Sequence, residues 1–178
     1  ERYPLVYLAN AALAPTLLKR RQTGERPTGR LVMGPPGKEL PGAWVETQGL
    51  AEAWGLKEAG QPYALEEMRL RVLRDHARRL ERVHLATHSR FNDEDYLQSY
   101  IQFSQEWLTL AGLISDETMD FHGMRLFYLS SCESGRARSG VADELQGLVW
   151  ALIYAGAGAV MASLWPVDDG AAEYMASA

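Results

Sequence analysis

Short apolar runs alternate with longer amphipathic patterns along this chain, and the alternation constrains its fold more than any other feature. The runs have the length and the residue types of buried strands. We predict four of them as strands: RLVMG, RVHLAT, MRLFYLS and GAVMASLW. The patterns between them predict helices over residues 42–54, 65–80 and 141–156, and SYIQFS is interpreted as one strand of a hairpin. Strands that alternate with helices predict an α/β fold with a mostly parallel central sheet flanked by helices.

Composition limits the functions open to such a fold. The chain has 178 residues, enough for one domain with a real core, and its net charge of -5 argues against a nucleic-acid partner. It contains one cysteine, which excludes an intramolecular disulfide and a cysteine metal cluster, and we predict no metal and no organic cofactor. A single thiol also suits a reducing cytoplasm, which is the location we expect.

Residues 148–165 form an uncharged run of 18 residues, the lower limit for a membrane span. The segment AGAG interrupts this run near its middle. We prefer a helix that ends at Gly156 and is followed by a buried strand from Ala159, with no contact to a membrane. A membrane span is the alternative interpretation.

Two reactive side chains follow directly after predicted strands. Cys132 comes after MRLFYLS, and His88 comes after RVHLAT. Because parallel strands end at the same edge of a sheet, the thiol and the imidazole emerge together if the two strands are neighbours. A thiol attacks as the thiolate, and a histidine can generate the thiolate near neutral pH. The alternative is that Cys132 is only a small buried side chain, the usual fate of a free cysteine.

The other histidines fit this chemistry less well. His84 lies inside the strand pattern, about 13 Å from His88 along an extended chain, so the two cannot form a helical zinc pair. We predict that His84 is a core or near-core residue whose polar atoms are satisfied. His76 stands in the polar part of a helical pattern, where a surface position is expected, and His122 precedes a glycine in a turn.

Four segments together resemble the CHAT family of bacterial caspase-like cysteine proteases. They cover most of the chain, from about residue 31 to residue 169, in the order of the family: MGPPGKELPGAWVETQGLAEAW, HLATHS, LSSCESG and ADELQGLVWALIYAGAGAVMASLWPVDD. The first segment has the strand, the Leu-Pro-Gly-Ala turn and the helix with an early Glu that are typical of the family. His88 and Cys132 are 44 residues apart, close to the separation of about 50 between the caspase His and Cys.

The resemblance implies a caspase-like three-layer sandwich and a Cys-His dyad. Cys132 would be the nucleophile, and His88 would be the general base and acid. The backbone N–H of Cys132, and one in the turn after His88 at Ser89, would stabilise the oxyanion. Caspases carry Gly directly after this histidine, so Ser89 departs from their pattern at a turn where a positive φ would be needed.

The resemblance also bears on the substrate. Caspases place a Trp-Arg pair near the end of the last strand, whereas here Trp165 is followed by Pro, Val, Asp168 and Asp169. This is similar to separase, which cuts after Arg, and it implies that Trp165 shapes the groove while a carboxylate pairs with a basic P1 residue. The alternative is that both Asp residues cap the next helix. Glu133, beside Cys132, either lines the site or faces solvent.

The expected function is therefore hydrolysis of a protein or peptide substrate, by one protease domain over residues 1–178. The chain lacks an initiator Met and ends within a helical pattern, so we expect a piece of a longer protein. The resemblance implies a TPR-like regulatory region on the same chain. Two other classes stay open: a catalytically inactive interaction or scaffold module, and an acyl transferase that uses the same two residues.

Overall fold

The computed structural model describes residues 27–35, 40–56, 68–131, 137–139 and 145–162. Four parallel strands form its central sheet: β1 (Gly29–Met33), β2 (Leu80–Ala86), β6 (Leu126–Ser130) and β9 (Val160–Ala162). They lie side by side in the order β1–β2–β6–β9. The predicted α/β fold with a parallel central sheet is therefore confirmed.

Two smaller antiparallel groups accompany this sheet. The first contains β3 (Ser89–Arg90), β4 (Tyr100–Gln102) and β5 (Trp107–Thr109), and the second pairs β7 (Ala137–Ser139) with β8 (Leu145–Gly147). The predicted hairpin strand at SYIQFS is confirmed as β4. The helices are α1 (Pro41–Ala53), α2 (Leu70–His76), α3 (Leu110–Ser115) and α4 (Leu148–Tyr154), and short 3-10 turns cover Ala77–Arg79 and Tyr96–Gln98.

Strands β1 and β2 bury consecutive side chains and therefore both faces, as strands of a parallel sheet covered by helices do, whereas β6 buries Phe127 and Leu129 on one face. Residues 83–86 of β2 are all buried. Phe127 of β6 packs edge-on against Phe121, with ring centroids 5.5 Å apart. Burial of one such aromatic ring stabilises the fold by about 1.5–3 kcal/mol. The parallel pairing of β2 with β6 places side by side the two strands that precede His88 and Cys132.

Helix α1 confirms the helix predicted over residues 42–54. It begins at Pro41, whose restricted φ and missing N–H suit the first helical turn. It contacts β1 and β2, and its inward face consists of small or polar residues: Gly42, Ala43, Glu46, Thr47 and Ala51. A carboxylate on the buried face of a helix requires a polar partner in the core.

The helix predicted over residues 65–80 is shorter in the structure. Only Leu70–His76 are helical, because Arg69 has an extended backbone (φ -109°, ψ 118°) and Leu80 already belongs to β2. Leu80 pairs with Gly29 of β1. This strand pairing outweighs the helical periodicity, which cannot by itself distinguish an apolar residue of a helix from one of a buried strand. Residues 65–67 lie outside the described residues.

Helix α4 begins later than predicted. Residues 145–147 form β8 with an extended Gly147 (φ -171°, ψ -174°), so the helix starts only at Leu148, and residues 141–144 lie outside the described residues. At its other end, the N–H groups of Gly156 and Ala157 donate to carbonyls of the last turn, each at 3.0 Å. This Schellman arrangement needs a positive φ, and Gly156 supplies it with φ 118°.

The uncharged run over residues 148–165 is thus a helix followed by a strand, as preferred from the sequence. A side chain at Gly156 would also place its Cβ 2.6 Å from the backbone N of His122, so the turn requires glycine. The predicted last strand is confirmed as β9, but it is not buried as predicted, because it stands last in the strand order and Met161 is 52% exposed. Residues 163–165 lie outside the described residues. Among the residues that the structure describes, no helix has both the length and the apolar character needed to cross a bilayer.

Candidate active site

The carboxyl ends of β2 and β6 lie side by side at one edge of the central sheet. Their register pairs Ala86 with Ser130 at the last position of each strand. Beyond that pair, the Thr87 N–H donates to the Ser130 carbonyl at 3.0 Å, so the two segments stay together as they leave the sheet. The strands that precede His88 and Cys132 are therefore neighbours, as the prediction required.

A second set of hydrogen bonds holds the segment that carries His88. The Thr87 hydroxyl donates to the Gln102 carbonyl at 2.8 Å, and the Gln102 N–H donates to the His88 carbonyl at 2.9 Å. The backbone around His88 is thus attached to both β6 and β4. His88 is exposed and borders a groove of about 470 Å³, which is also lined by Leu40 and Phe103. A histidine in this position can exchange protons with a bound molecule or with water.

All four histidines of the chain lie within the described residues, and only His88 stands at this edge. His84 is fully buried inside β2, as predicted. His76 is partly buried rather than on the surface, because α2 ends there and the chain enters the core at Ala77. His122 is exposed in the turn before β6. His76 and His122 come before the amino ends of β2 and β6, whereas His88 follows the carboxyl end of β2. They therefore lie at the opposite edge of the sheet.

The segment directly after His88 differs from the turn that was predicted. Ser89 begins β3 and pairs with Ile101 of β4, so its backbone is extended and does not require a positive φ. Serine fits an extended backbone without strain. The Ser131 hydroxyl donates a hydrogen bond to the Ser89 hydroxyl at 2.9 Å. This contact joins the residue after His88 to the residue before Cys132.

Five of the predicted site residues lie outside the described residues: Cys132, Glu133, Trp165, Asp168 and Asp169. Their roles stay predictions from the sequence. Within the described ranges, no three His, Cys, Asp or Glu side chains come close enough together to hold a metal ion.

Just inside this edge of the sheet, a buried carboxylate–imidazole contact joins α1 to β2. Oε1 of Glu46 lies 2.9 Å from Nε2 of His84, and the two side chains are 1% and 0% exposed. Neither of these atoms, nor Nδ1 of His84, has a hydrogen-bond partner among the described groups, so the prediction that the polar atoms of His84 are satisfied is not confirmed. Oε2 of Glu46 accepts a hydrogen bond from the Ser130 hydroxyl at 3.0 Å. One carboxylate therefore contacts both strands that lead to the candidate site.

Tyr128 of β6 completes this group of side chains. Its ring meets the His84 ring edge-on, with centroids 4.6 Å apart. Burial raises the pKa of the Tyr128 hydroxyl, and the negative charge of Glu46 raises it further, whereas a hydrogen bond with Ser130 opposes both effects. The contribution of Glu46 to this raised pKa indicates a negative electrostatic potential at the Tyr128 hydroxyl. We call these four residues, Glu46, His84, Tyr128 and Ser130, the buried cluster.

The sequence alone did not identify the buried cluster as part of a site. A signal was present, because an acidic residue on the inward face of a helix and a histidine inside an apolar strand each need a polar partner when buried. The sequence does not pair them: Glu46 and His84 belong to different elements, Ser130 is 84 positions from Glu46, and only the fold brings the three together.

Comparisons with known proteins place the chain in a family. A comparison with curated proteins gave no match. A family model described as the CHAT domain matches residues 1–178, which is the whole chain. The four-stranded parallel sheet with flanking helices is consistent with the caspase-like fold of that family. The protein therefore belongs to the CHAT-domain family, a family of caspase-like domains related to cysteine proteases.

Proposed function

We propose that this protein is a cysteine endopeptidase that hydrolyses peptide bonds through Cys132 and His88. The observation that supports the proposal most is the 2.9 Å hydrogen bond between the hydroxyls of Ser131 and Ser89. Each of these residues is covalently next to one member of the proposed dyad, and consecutive Cα atoms are only about 3.8 Å apart. The exposed position of His88 at the same edge of the sheet adds to this support.

The proposed reaction proceeds through a thioester. His88 takes the proton of the Cys132 thiol, and the thiolate attacks the carbonyl carbon of the scissile bond. The carbonyl oxygen becomes an oxyanion, for which the backbone N–H groups of Cys132 and Ser89 are the proposed donors. The C–N bond then breaks as His88 returns the proton to the leaving amine. Water, deprotonated by His88, hydrolyses the thioester and restores the free thiol.

A thiol-specific alkylating reagent tests this proposal without knowledge of the substrate. Because Cys132 is the only cysteine, iodoacetamide labelling reports on that thiol alone. We expect a thiol pKa well below the value of about 8.5 for free cysteine, and therefore fast labelling near pH 7. His88→Ala should return the thiol pKa to about 8.5, because the thiolate then loses its neighbouring imidazole.

His122→Ala is the matched control, since this histidine is also exposed but stands at the opposite edge of the sheet. Its labelling profile should be that of the wild type. Slow labelling of the wild type, unchanged by His88→Ala, would contradict the proposal and favour a catalytically inactive interaction module. Fast labelling without any cleavage of peptides would instead favour an acyl transferase with the same dyad.

We propose further that the residue on the acyl side of the cleaved bond, P1, is Arg or Lys. Asp168 and Asp169 follow Trp165 where a caspase carries an arginine, and Glu133 follows the proposed nucleophile. An acidic P1 residue would meet like charges, whereas a basic one would form a charge-assisted pair worth about 1.5–3 kcal/mol. That energy corresponds to a preference of about ten- to a hundredfold.

Asp169→Asn, measured on two peptides that differ only in P1 Arg or P1 Gln, tests this preference. We expect a selective loss on the Arg peptide, because only that peptide presents a charge to the carboxylate. An equal loss on both peptides would identify Asp169 as a helix cap. Cleavage after Asp by the wild type would contradict the charge argument as a whole.

The family resemblance also supports a proposal for where this domain acts, on what substrate and under what control. We expect a single protease domain over residues 1–178 that acts in the cytoplasm on a protein or peptide, under the control of a TPR-like region on the same chain. The net charge of -5 supports a protein substrate over a nucleic acid, since nucleic-acid binding relies on a basic surface.

A further inference from the structure

We infer that Glu46 and Ser130 are positioning residues, which hold the ends of β2 and β6 in the geometry that the Cys132–His88 chemistry needs. The inference rests on the proposed function. The Glu46 side chain is 1% exposed, so it is out of reach of a substrate and acts only through the strands it contacts.

Stability alone does not account for a buried carboxylate–imidazole contact at this place. Removal of a carboxylate and an imidazole from water is unfavourable, and apolar side chains of similar volume often stabilise a core as well or better. The contact between Glu46 and His84 also lacks an aligned hydrogen bond within the described residues. Buried polar contacts of this kind are useful where one specific geometry is required, which apolar packing specifies less strictly.

The geometry in question is that of the two strand ends. One oxygen of the carboxylate contacts His84, four residues before His88, and the other contacts Ser130, two residues before Cys132. The Ser130 carbonyl in turn accepts the Thr87 N–H at 3.0 Å. A displacement of the carboxylate or of Ser130 is therefore transmitted to both proposed catalytic residues through short, hydrogen-bonded segments.

The expected effect follows from the distance dependence of catalysis. A misplacement of about 1 Å between reacting groups can lower a rate by about a hundredfold. Because the buried cluster does not contact the substrate, its disturbance should lower kcat and raise the pKa of the thiol while KM changes little. A residue that only stabilised the fold would change the unfolding temperature and neither of these quantities.

Ser130→Ala is the most informative variant, because it removes one hydroxyl and leaves the Glu46–His84 contact intact. We expect its thiol pKa to rise by about 0.5–1 toward 8.5, so that iodoacetamide labelling near pH 7 slows by roughly three- to tenfold. With any peptide that the wild type cleaves, kcat should fall by about tenfold at nearly constant KM. Ser130→Thr keeps the hydroxyl and should restore both quantities to within about twofold of the wild type.

Thr109→Ala is the control for loss of stability. Its hydroxyl accepts the Gly112 N–H at 3.0 Å and caps α3, so its removal also deletes one partly buried hydrogen bond. We expect a similar decrease of the unfolding temperature, with labelling and kcat unchanged.

Three outcomes would overturn the inference. If Ser130→Ala labels and cleaves like the wild type, the buried cluster is only structural. If Thr109→Ala slows labelling as much as Ser130→Ala, the effect comes from general destabilisation. If labelling of the wild type does not depend on His88, the proposed function fails, and the inference fails with it. The first two results leave the proposed function intact, so the two failures are distinguishable.

Discussion

We expect Cys132→Ala to reduce peptide cleavage to background and His88→Ala to lower kcat by about 10²–10⁴-fold. The first change removes the nucleophile, and the second removes the group that ionises the thiol and protonates the leaving amine. Both variants should stay folded, because His88 is exposed and its replacement leaves the core unchanged. The measurement is steady-state cleavage of a fluorogenic peptide, with circular dichroism to confirm the fold.

The double variant gives the sharper result. Residues that act as one unit are not additive, so Cys132→Ala with His88→Ala together should be little worse than the more damaging single variant. His122→Ala should keep wild-type kcat, since this histidine lies at the other edge of the sheet. Full activity in Cys132→Ala would contradict the proposed function entirely.

We expect the loss of either side chain of the buried Glu46–His84 contact to lower the free energy of unfolding by about 1–3 kcal/mol. Glu46→Ala leaves His84 without the carboxylate it contacts, and His84→Ala leaves a buried carboxylate without the imidazole. Each variant therefore retains a desolvated polar group. Urea unfolding measures the change, and Glu52→Ala, an exposed position on the same helix, should change stability by less than about 0.5 kcal/mol.

Replacement of both members at once should behave differently. Glu46→Leu combined with His84→Leu removes the two desolvated groups together and keeps a similar volume, so this variant should be more stable than either single alanine variant. It should nevertheless label slowly at Cys132, because the carboxylate no longer connects β2 to β6. A loss below about 1 kcal/mol in both single alanine variants would contradict the buried pair described here.

Several features of this protein were predictable from local patterns. The strands RVHLAT and MRLFYLS are apolar runs of strand length, and their order implied that His88 and Cys132 leave the same edge of a parallel sheet. The burial of His84 followed from its place inside such a run. These predictions succeeded because a central strand needs apolar side chains on its covered faces, one in β6 and both in β2, and such apolar runs are visible locally.

The first and last residues of the helices and strands were less predictable, because an apolar residue fits the pattern of a helix and that of a buried strand equally well. Leu80 fitted the apolar stripe of a helix, yet it pairs with Gly29 in the sheet. Residues 145–147 likewise fitted the helix that follows them, yet they pair with β7. A strand partner decided both cases between two local structures of similar energy: it lies far along the chain for Leu80 and close by, in β7, for residues 145–147.

The sequence by itself determined the α/β architecture and the histidine that stands at the carboxyl edge of the sheet. Only the tertiary structure decided that the Glu46 carboxylate contacts His84 and Ser130, and that Ser89 is extended and accepts a hydrogen bond from Ser131. The physical reason is the separation along the chain over which each kind of information acts. Periodicity records which face of an element is buried, whereas a buried charge finds its partner through contacts between segments that are far apart in the chain.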